Sequence, residues 1–353
     1  PRQSAQDRSS ETSAWWRETL TSGLPIPRYP QLRVGLPAAG LLTRLWTERR
    51  PNVVHVATEG PLGWSALVAA RRLNLPVVSE FRTNFHAYAS HYGVRWLGTA
   101  AQKWLRQFHN RTNLTMVPTQ QLANELASQG FERLSVIARG VDAQRFSPSF
   151  RDPALRAHWG ASENTRVALS VGRLAPEKNL DSVIQAWRSL QSAYPDTRLV
   201  FVGNGPSLPH LQQACPEAIF TGALRGAELS RAYASADMFF FASETETFGN
   251  VVPEAMASGL AVLAFNDAAA GELIAHRSNG LKSPKGDKDM FVAMARGFGG
   301  DRATLQRWGE EARATALRLD WGQIVSAIEA EYHKAIHTQP QITTPFASAL
   351  QNP

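Results

Sequence analysis

Glu246-Thr247-Phe248-Gly249-Asn250-Val251-Val252-Pro253-Glu254 places two carboxylates with seven residues between them, around a glycine-containing turn. From Glu254 a helical run reads to Ser258 and stops at Gly259. The pattern predicts a post-strand loop that offers backbone N–H groups, a helix N-terminus and two acid acceptors to one ligand. The first N–H groups of a helix lack partners inside it and favour phosphate. Carboxylates suit vicinal sugar hydroxyls. The expected ligand is a phosphorylated sugar.

Around this stretch, strand and helix patterns alternate. Arg166–Val171, Arg198–Gly203, Ala218–Thr221, Met238–Ala242 and Ala261–Phe265 read as strands. Leu180–Ser192, Pro206–Cys215 and Glu228–Ala234 read as helices. Upstream, Pro51–Ala57, Pro76–Phe81, Leu114–Pro118 and Leu134–Ile137 read as strands, with helices over Trp64–Leu73 and Gln120–Ser128. Such alternation predicts α/β architecture with parallel sheets covered by helices. Phe146–Pro153, with two prolines and two serines, reads as a linker. The expected division is a first domain over 1–147, a second over 148–320, a last helix over 321–337 and a disordered tail over 338–353.

The 353 residues suit two domains of ordinary size. Hydrophobic content of 43% against 19% charged residues indicates a substantial core. No apolar run is long enough for a transmembrane helix, and no secretory signal is visible. One cysteine, Cys215, excludes an internal disulfide and a cysteine metal cluster. The expected location is cytoplasmic. The net charge of +7 is uneven: residues 1–147 hold 18 Lys+Arg against 9 Asp+Glu, and the rest hold 19 against 21. A basic first domain suits an anionic membrane surface or an acidic substrate, or serves solubility alone. Residues 96–111, with Trp96, Leu97, Trp104, Leu105, Phe108, Lys103, Arg106 and Arg111, read either as a basic amphipathic helix on a membrane or as a domain helix with a buried face. The chain begins at Pro1, and the strand and Gly-rich turn that usually open such a domain are absent. A fragment lacking its first strand is the expectation.

Four further segments bear on chemistry. In Val171-Gly172-Arg173-Leu174-Ala175-Pro176-Glu177-Lys178-Asn179-Leu180, Gly172 permits close backbone approach, and Arg173 and Lys178 can converge on a diphosphate. The bland reading is an exposed Arg173 and a Lys178 paired with Glu177, with Asn179 or Asp181 capping the next helix. Gly203-Asn204-Gly205-Pro206 and Thr221-Gly222-Ala223-Leu224 also follow strands and are able to flank a nucleotide. Arg82 and His86, just past a strand in the first domain, are candidates to face a cleft. His55, within a strand, reads as a hydrogen-bonded core residue. Glu246 and Glu254 as a hydrolase pair is disfavoured, because two acids on one short loop do not flank a glycosidic bond.

Taken together, Val171–Leu180 and Glu246–Glu254 resemble the signature pair of retaining GT-B glycosyltransferases, often called family 4. Arg139-Gly140-Val141-Asp142 with Phe146-Ser147-Pro148 resembles that family's "GVD…F.P" stretch. Thr83–Tyr88 and His91–Gly93 resemble a lipid-directed mannosyl and glycosyl transferase subgroup. The resemblance runs from about residue 50 to 336. It implies two Rossmann-like domains facing across a cleft, with the last helix crossing back to the first. Arg173 and Lys178 would hold the donor diphosphate and Glu246 the sugar hydroxyls. Phe248, Gly249, Asn250 and Val251 would supply backbone contacts, and Glu254 would bind the ribose. Gly172, Gly203, Asn204, Ala223 and Leu224 would complete the donor-binding surface. The catalytic set would be Arg82, His86, Arg173, Lys178 and Glu246. Arg82 stands where many members carry a histidine, so Arg82 and His86 both remain candidates for that role.

The implied activity is metal-independent, retaining transfer of a hexose from a GDP- or UDP-sugar, GDP-mannose favoured, to a membrane lipid or cell-envelope glycan. No cofactor and no nucleic-acid partner are expected, and peripheral attachment to the inner face of the membrane is an open reading. The alternatives are an epimerase or phosphorylase of the same fold, or a truncated nucleotide-sugar-binding module.

Overall fold

The computed structural model describes residues 1, 11–13, 16–26, 29–82, 95–298, 300 and 302–338. Two short antiparallel ribbons come first: β1 (Glu11–Ser13) with β2 (Trp16–Arg17), and β3 (Gly23–Ile26) with β4 (Tyr29–Gly35). A parallel sheet follows in the order β5 (Val54–Val56), β6 (Val77–Glu80), β7 (Leu114–Val117), β8 (Leu134–Val136). Helices Pro61–Arg72 and Gln120–Ser128 lie where helical spacing predicts them. Thr119 caps the second by accepting from Leu122 N–H.

The second sheet has six parallel strands: β9 (Arg166–Val171), β10 (Thr197–Val202), β11 (Ile219–Phe220), β12 (Met238–Phe241), β13 (Ala261–Phe265) and β14 (Gly280–Ser283). Their spatial order is β11-β10-β9-β12-β13-β14. All four residues of β12 are buried. Phe239 and Phe241 join the core on one face, while Met238 and Phe240 join that on the other. That is the period-two alternation of a strand covered on both sides, which explains its unbroken apolar run. Trp187, 1% exposed, anchors the second of these cores.

Phe146–Pro153 is a structured connection. Ser147 begins a single 3₁₀ turn over Pro148–Phe150, and Asp152 caps the helix Pro153–His158. Phe146 is buried edge-to-face against Tyr233, 5.5 Å between centroids. Asp142 Oδ1 accepts from the N–H groups of Gln144 and Arg145, and Val141 N–H donates to the Leu319 carbonyl at 2.9 Å. The Gly-Val-Asp stretch therefore ties the first sheet to the segment before the last helix, Trp321–His337. That helix packs Ile328, Tyr332 and Ala335 against Val78 and Met116 of the first sheet.

The helix Arg95–His109 buries Leu105 and Phe108 and stacks Trp104 on Trp64 at 5.8 Å. Trp104 remains 38% exposed. His109 is fully buried within hydrogen-bonding distance of Ser79 and Glu59, and holds the helix to the sheet. No helix among the described residues is long and apolar enough to cross a membrane. Cys215 is buried, and burial pushes its thiol up to about 11, so it is a core residue without nucleophilic character.

Candidate active site

The six-stranded order reverses direction between β9 and β12. From β9 the chain steps outward to β10 and β11, then returns to β12 and steps the other way. The loops leaving β9 and β12 diverge there, and open α/β sheets bind ligands in that crevice. Lys178 comes from the loop after β9, and Glu246 from the loop after β12. Lys178 Nζ donates to Glu246 Oε1, and each side chain is 17% exposed. Ser243 Oγ donates to the same oxygen at 2.8 Å, and the Lys178 ammonium stands 5.8 Å from the Phe241 ring centroid.

Arg173 pairs with Glu177, which is 2% exposed. The sequence suggests Glu177 as the partner of Lys178. The fold assigns Glu177 to Arg173 instead, because the 3₁₀ turn Pro176–Lys178 turns Lys178 toward the β12 loop. Asn179 occupies the left-handed region, φ 49°, at the start of helix Leu180–Ala193 without capping it by its side chain. Its amide instead donates to the Ala242 carbonyl and to Glu244, joining the two loops. Asp181 is exposed and pairs with His210.

Backbone proximity explains Gly203 and Gly205, whose Cβ atoms would meet the Gly172 and Leu174 carbonyl oxygens. A Cβ on Gly203, φ 146°, would lie 1.8 Å from the Gly172 carbonyl oxygen. Gly203 N–H donates to the Gly222 carbonyl, and Leu174 N–H to the Asn204 carbonyl. The turns after β9, β10 and β11 are thus stitched into one ledge. Asn204 and Ala223 are exposed on it, and Leu224 is partly buried.

The helix in the opening motif begins earlier than its sequence suggests. It spans Val251–Ala257, so Glu254 sits at its fourth position and does not open it. Pro253 falls within its first turn, where a missing N–H costs nothing. Gly249, φ 86°, turns the chain into it, and Phe248 is 2% exposed beneath. Glu254 Oε2 accepts from the buried Tyr233 hydroxyl at 2.9 Å. Burial pushes the Glu254 carboxyl above its ordinary range, against the opposing pull of Tyr233 and the Arg145 charge. Its other oxygen has no hydrogen-bond partner among the described residues.

Arg82 lies on the first sheet's side and donates to Glu80, whose other oxygen is 3.4 Å from His55 Nε2. Burial alone would raise the Glu80 pKa, but the nearby His55 ring and the Arg82 guanidinium outweigh it and bring it to about 2. His55 is also hydrogen-bonded through Nδ1 to the Tyr332 hydroxyl of the last helix. Arg82 lines a cleft with Pro118, Arg139, Asn250, Trp321 and Ile324. His86 and the Thr83–Tyr88 and His91–Gly93 segments lie outside the described residues. The sequence reading missed Tyr233, Ser243 and Arg145, which have no local motif, and Arg139, which stands inside a motif but draws no attention there.

Residues 152–315 match the profile of glycosyl transferases group 1, and residues 7–145 that of glycosyltransferase family 4. A GDP-mannose-dependent alpha-mannosyltransferase of Mycobacterium tuberculosis is 41% identical over 311 residues, 87% of this chain and 79% of the relative. An alpha-monoglucosyldiacylglycerol synthase of Acholeplasma laidlawii is 26% identical, over 65% of this chain and 62% of its own length. Anabaena Alr3699/HepE, in a crystal structure with UDP, superposes with a TM-score of 0.71 at 20% identity, over 87% of this chain and 83% of that one. The two sheets, the Lys178–Glu246 crevice between diverging loops and these matches together make the chain a glycosyltransferase enzyme of the GT-B family.

Proposed function

We propose that the chain transfers a hexose, mannose from GDP-mannose in the favoured case, to a membrane lipid or cell-envelope glycan, with retention and without a metal ion. The observation that carries the reading is Lys178 and Glu246 meeting at the β9/β12 crevice. Together they offer a cation for a diphosphate and a carboxylate for sugar hydroxyls. Arg173 adds a guanidinium on the same loop. Backbone N–H groups over Phe248–Val251 face the sugar and phosphate. Glu254, with one oxygen committed to Tyr233, keeps the other for ribose hydroxyls. Gly203, Asn204, Ala223 and Leu224 lie on the ledge toward the base.

In the transfer, the acceptor hydroxyl oxygen bonds to the sugar anomeric carbon as that carbon's bond to the diphosphate breaks. The acceptor proton passes to the departing diphosphate oxygen on the same face, which preserves the anomeric configuration. Lys178 and Arg173 stabilise the charge developing on the diphosphate. The preference for GDP-mannose is supported by the 41% identical mannosyltransferase, and the lipid acceptor by the alpha-monoglucosyldiacylglycerol synthase.

Thermal shift against GDP, UDP, GDP-mannose and UDP-glucose tests the donor site, because a ligand of the folded state raises apparent stability. GDP and GDP-mannose are expected to raise the melting temperature, with and without EDTA. A panel in which no nucleotide moves it sinks the reading. NMR of the transferred product is expected to show the α-anomer. Turnover of the nucleotide sugar without an acceptor would point to an epimerase instead.

A further inference from the structure

Tyr233, near the end of the helix Gly226–Ala234, is wholly buried. Its ring packs on Phe239 of β12 and edge-to-face on Phe146, with centroids 5.9 and 5.5 Å away. A phenylalanine would make the same two contacts. The hydroxyl needs its own explanation, because removing it from water costs free energy unless a partner offsets the loss. Its partner is Glu254 Oε2, at 2.9 Å. Burial, and after it the Glu254 charge, pushes the Tyr233 pKa well up, so the hydroxyl keeps its proton and donates. The carboxyl it meets is itself raised by burial. Two desolvated groups that pair in this way contribute little net stability. The use of the pair lies in where it leaves the carboxylate.

Glu254 stands on the helix Val251–Ala257, where its neighbours Pro253 and Ala255 are buried and Glu254 is only partly so. With Oε2 tied to Tyr233, the carboxyl plane is set and Oε1 is the oxygen left for a ligand. The connection between the two domains braces this arrangement. Phe146, from that connection, seats the Tyr233 ring. Arg313 donates to the Phe146 carbonyl and to the Ala257 carbonyl at the end of the Glu254 helix, which holds the two together. The Arg145 guanidinium lies 5.5 Å from the Phe146 ring centroid, and its charge favours the ionised Glu254 carboxyl.

We propose that Tyr233 is a positioning residue of the donor site: its hydroxyl holds Glu254 in the orientation that presents Oε1 to the ribose hydroxyls, and so sets the preference for a ribonucleotide. This rests on the glycosyltransferase reading above and deepens it at the nucleotide end. Tyr233 acts through Glu254 and touches no substrate. The rotation of the carboxyl is fixed on folding, so that ordering cost does not fall on nucleotide binding.

The test is titration calorimetry of the whole chain with GDP and with dideoxy-GDP, which lacks both ribose hydroxyls. The wild-type protein is expected to bind GDP about tenfold or more tighter than the analogue, as hydrogen bonds to a charged group require. Tyr233→Phe keeps the ring contacts and removes the hydroxyl alone. Its GDP affinity is expected to fall about three- to tenfold, with dideoxy-GDP affinity unchanged. A merely structural tyrosine would weaken both nucleotides alike. In a Glu254→Ala background, Tyr233→Phe is expected to leave GDP affinity unchanged, because the group it positions is gone. Phe146→Leu, a second variant, loosens the seat of the ring and keeps the hydroxyl. It should lower the GDP-over-dideoxy ratio by about twofold or more. A rise in melting temperature with dideoxy-GDP shows that each variant is folded and keeps its nucleotide site. The proposal is overturned if Tyr233→Phe weakens both nucleotides equally, if it binds GDP as tightly as wild type, or if its effect persists in Glu254→Ala. It also fails if the wild-type protein binds GDP and dideoxy-GDP equally, since Glu254 then holds no ribose. Absence of GDP binding by the wild-type chain would instead sink the underlying reading.

Discussion

Glu246→Gln separates the two halves of the crevice. In the free protein, Glu246 competes for the ammonium that a diphosphate needs. Contact between unit charges gains about 4 kcal/mol at an effective dielectric of about 20. Desolvation and ordering of the two side chains return most of this, leaving about 1–2 kcal/mol for a pair as buried as this one. A diphosphate reaching Lys178 must share or break that pair. The glutamine is nearly isosteric and can still accept from Ser243, so the loop keeps its shape. GDP should therefore bind Glu246→Gln about five- to thirtyfold tighter than wild type, at about 1.4 kcal/mol per tenfold. Sugar transfer should fall by about two orders of magnitude or more if Glu246 accepts from the sugar hydroxyls as proposed. Titration calorimetry with GDP and a labelled-mannose transfer assay read the two effects. Lys178→Met should lose GDP affinity in both backgrounds, and the double-mutant cycle isolates the coupling. Weaker GDP binding by Glu246→Gln would refute the competition and make Glu246 part of the nucleotide site.

Three other outcomes are expected. Glu254 is held above its ordinary pKa by burial, so its ionisation costs stability as pH rises through its folded pKa. Glu254→Gln should raise the melting temperature of the free protein at neutral pH and weaken GDP binding about tenfold, as calorimetry will show. Gly203→Ala would force a Cβ against the Gly172 carbonyl oxygen at a left-handed φ. It should cost about 2–4 kcal/mol in denaturant unfolding and abolish GDP binding. Glu80 is lowered to about 2, so its contribution is complete above its unfolded pKa and is lost as pH falls from there toward 2. Acid unfolding of Glu80→Gln should lack that increment, and identical wild-type and variant curves would contradict it.

Much of the second sheet was legible because its signals are local. Arg166–Val171 and Ala261–Phe265 are strands with the bounds their apolar runs suggest. The last strand, Gly280–Ser283, was not legible. Its four residues carry one lysine and two small side chains, and only pairing with β13 makes it a strand. The helix holding Glu254 starts three residues upstream of its sequence reading, because Pro253 looks like a boundary and is in fact tolerated in a first turn. Among candidate site residues, the Gly172–Lys178 and Glu246–Glu254 segments were visible as post-strand loops. Tyr233 was not, since its hydrogen bond to Glu254 joins two helices and leaves no spacing in the chain.

The sequence by itself determined the α/β alternation, the loops that follow strands and the residue types within them. Those properties depend on contacts a few residues apart. Which charges meet is decided only by the tertiary structure. Glu177 could have taken Lys178 or Arg173, and the turn at Pro176 gives it Arg173. Lys178 is thereby sent across the switch between β9 and β12 to Glu246, 68 residues away. Arg139, three residues beyond β8, acquires its place beside Arg82 and Trp321 only when the last helix folds back over the first sheet. Electrostatic partners are chosen by distance in space, and local sequence patterns carry no information about distances that the sheet order alone creates.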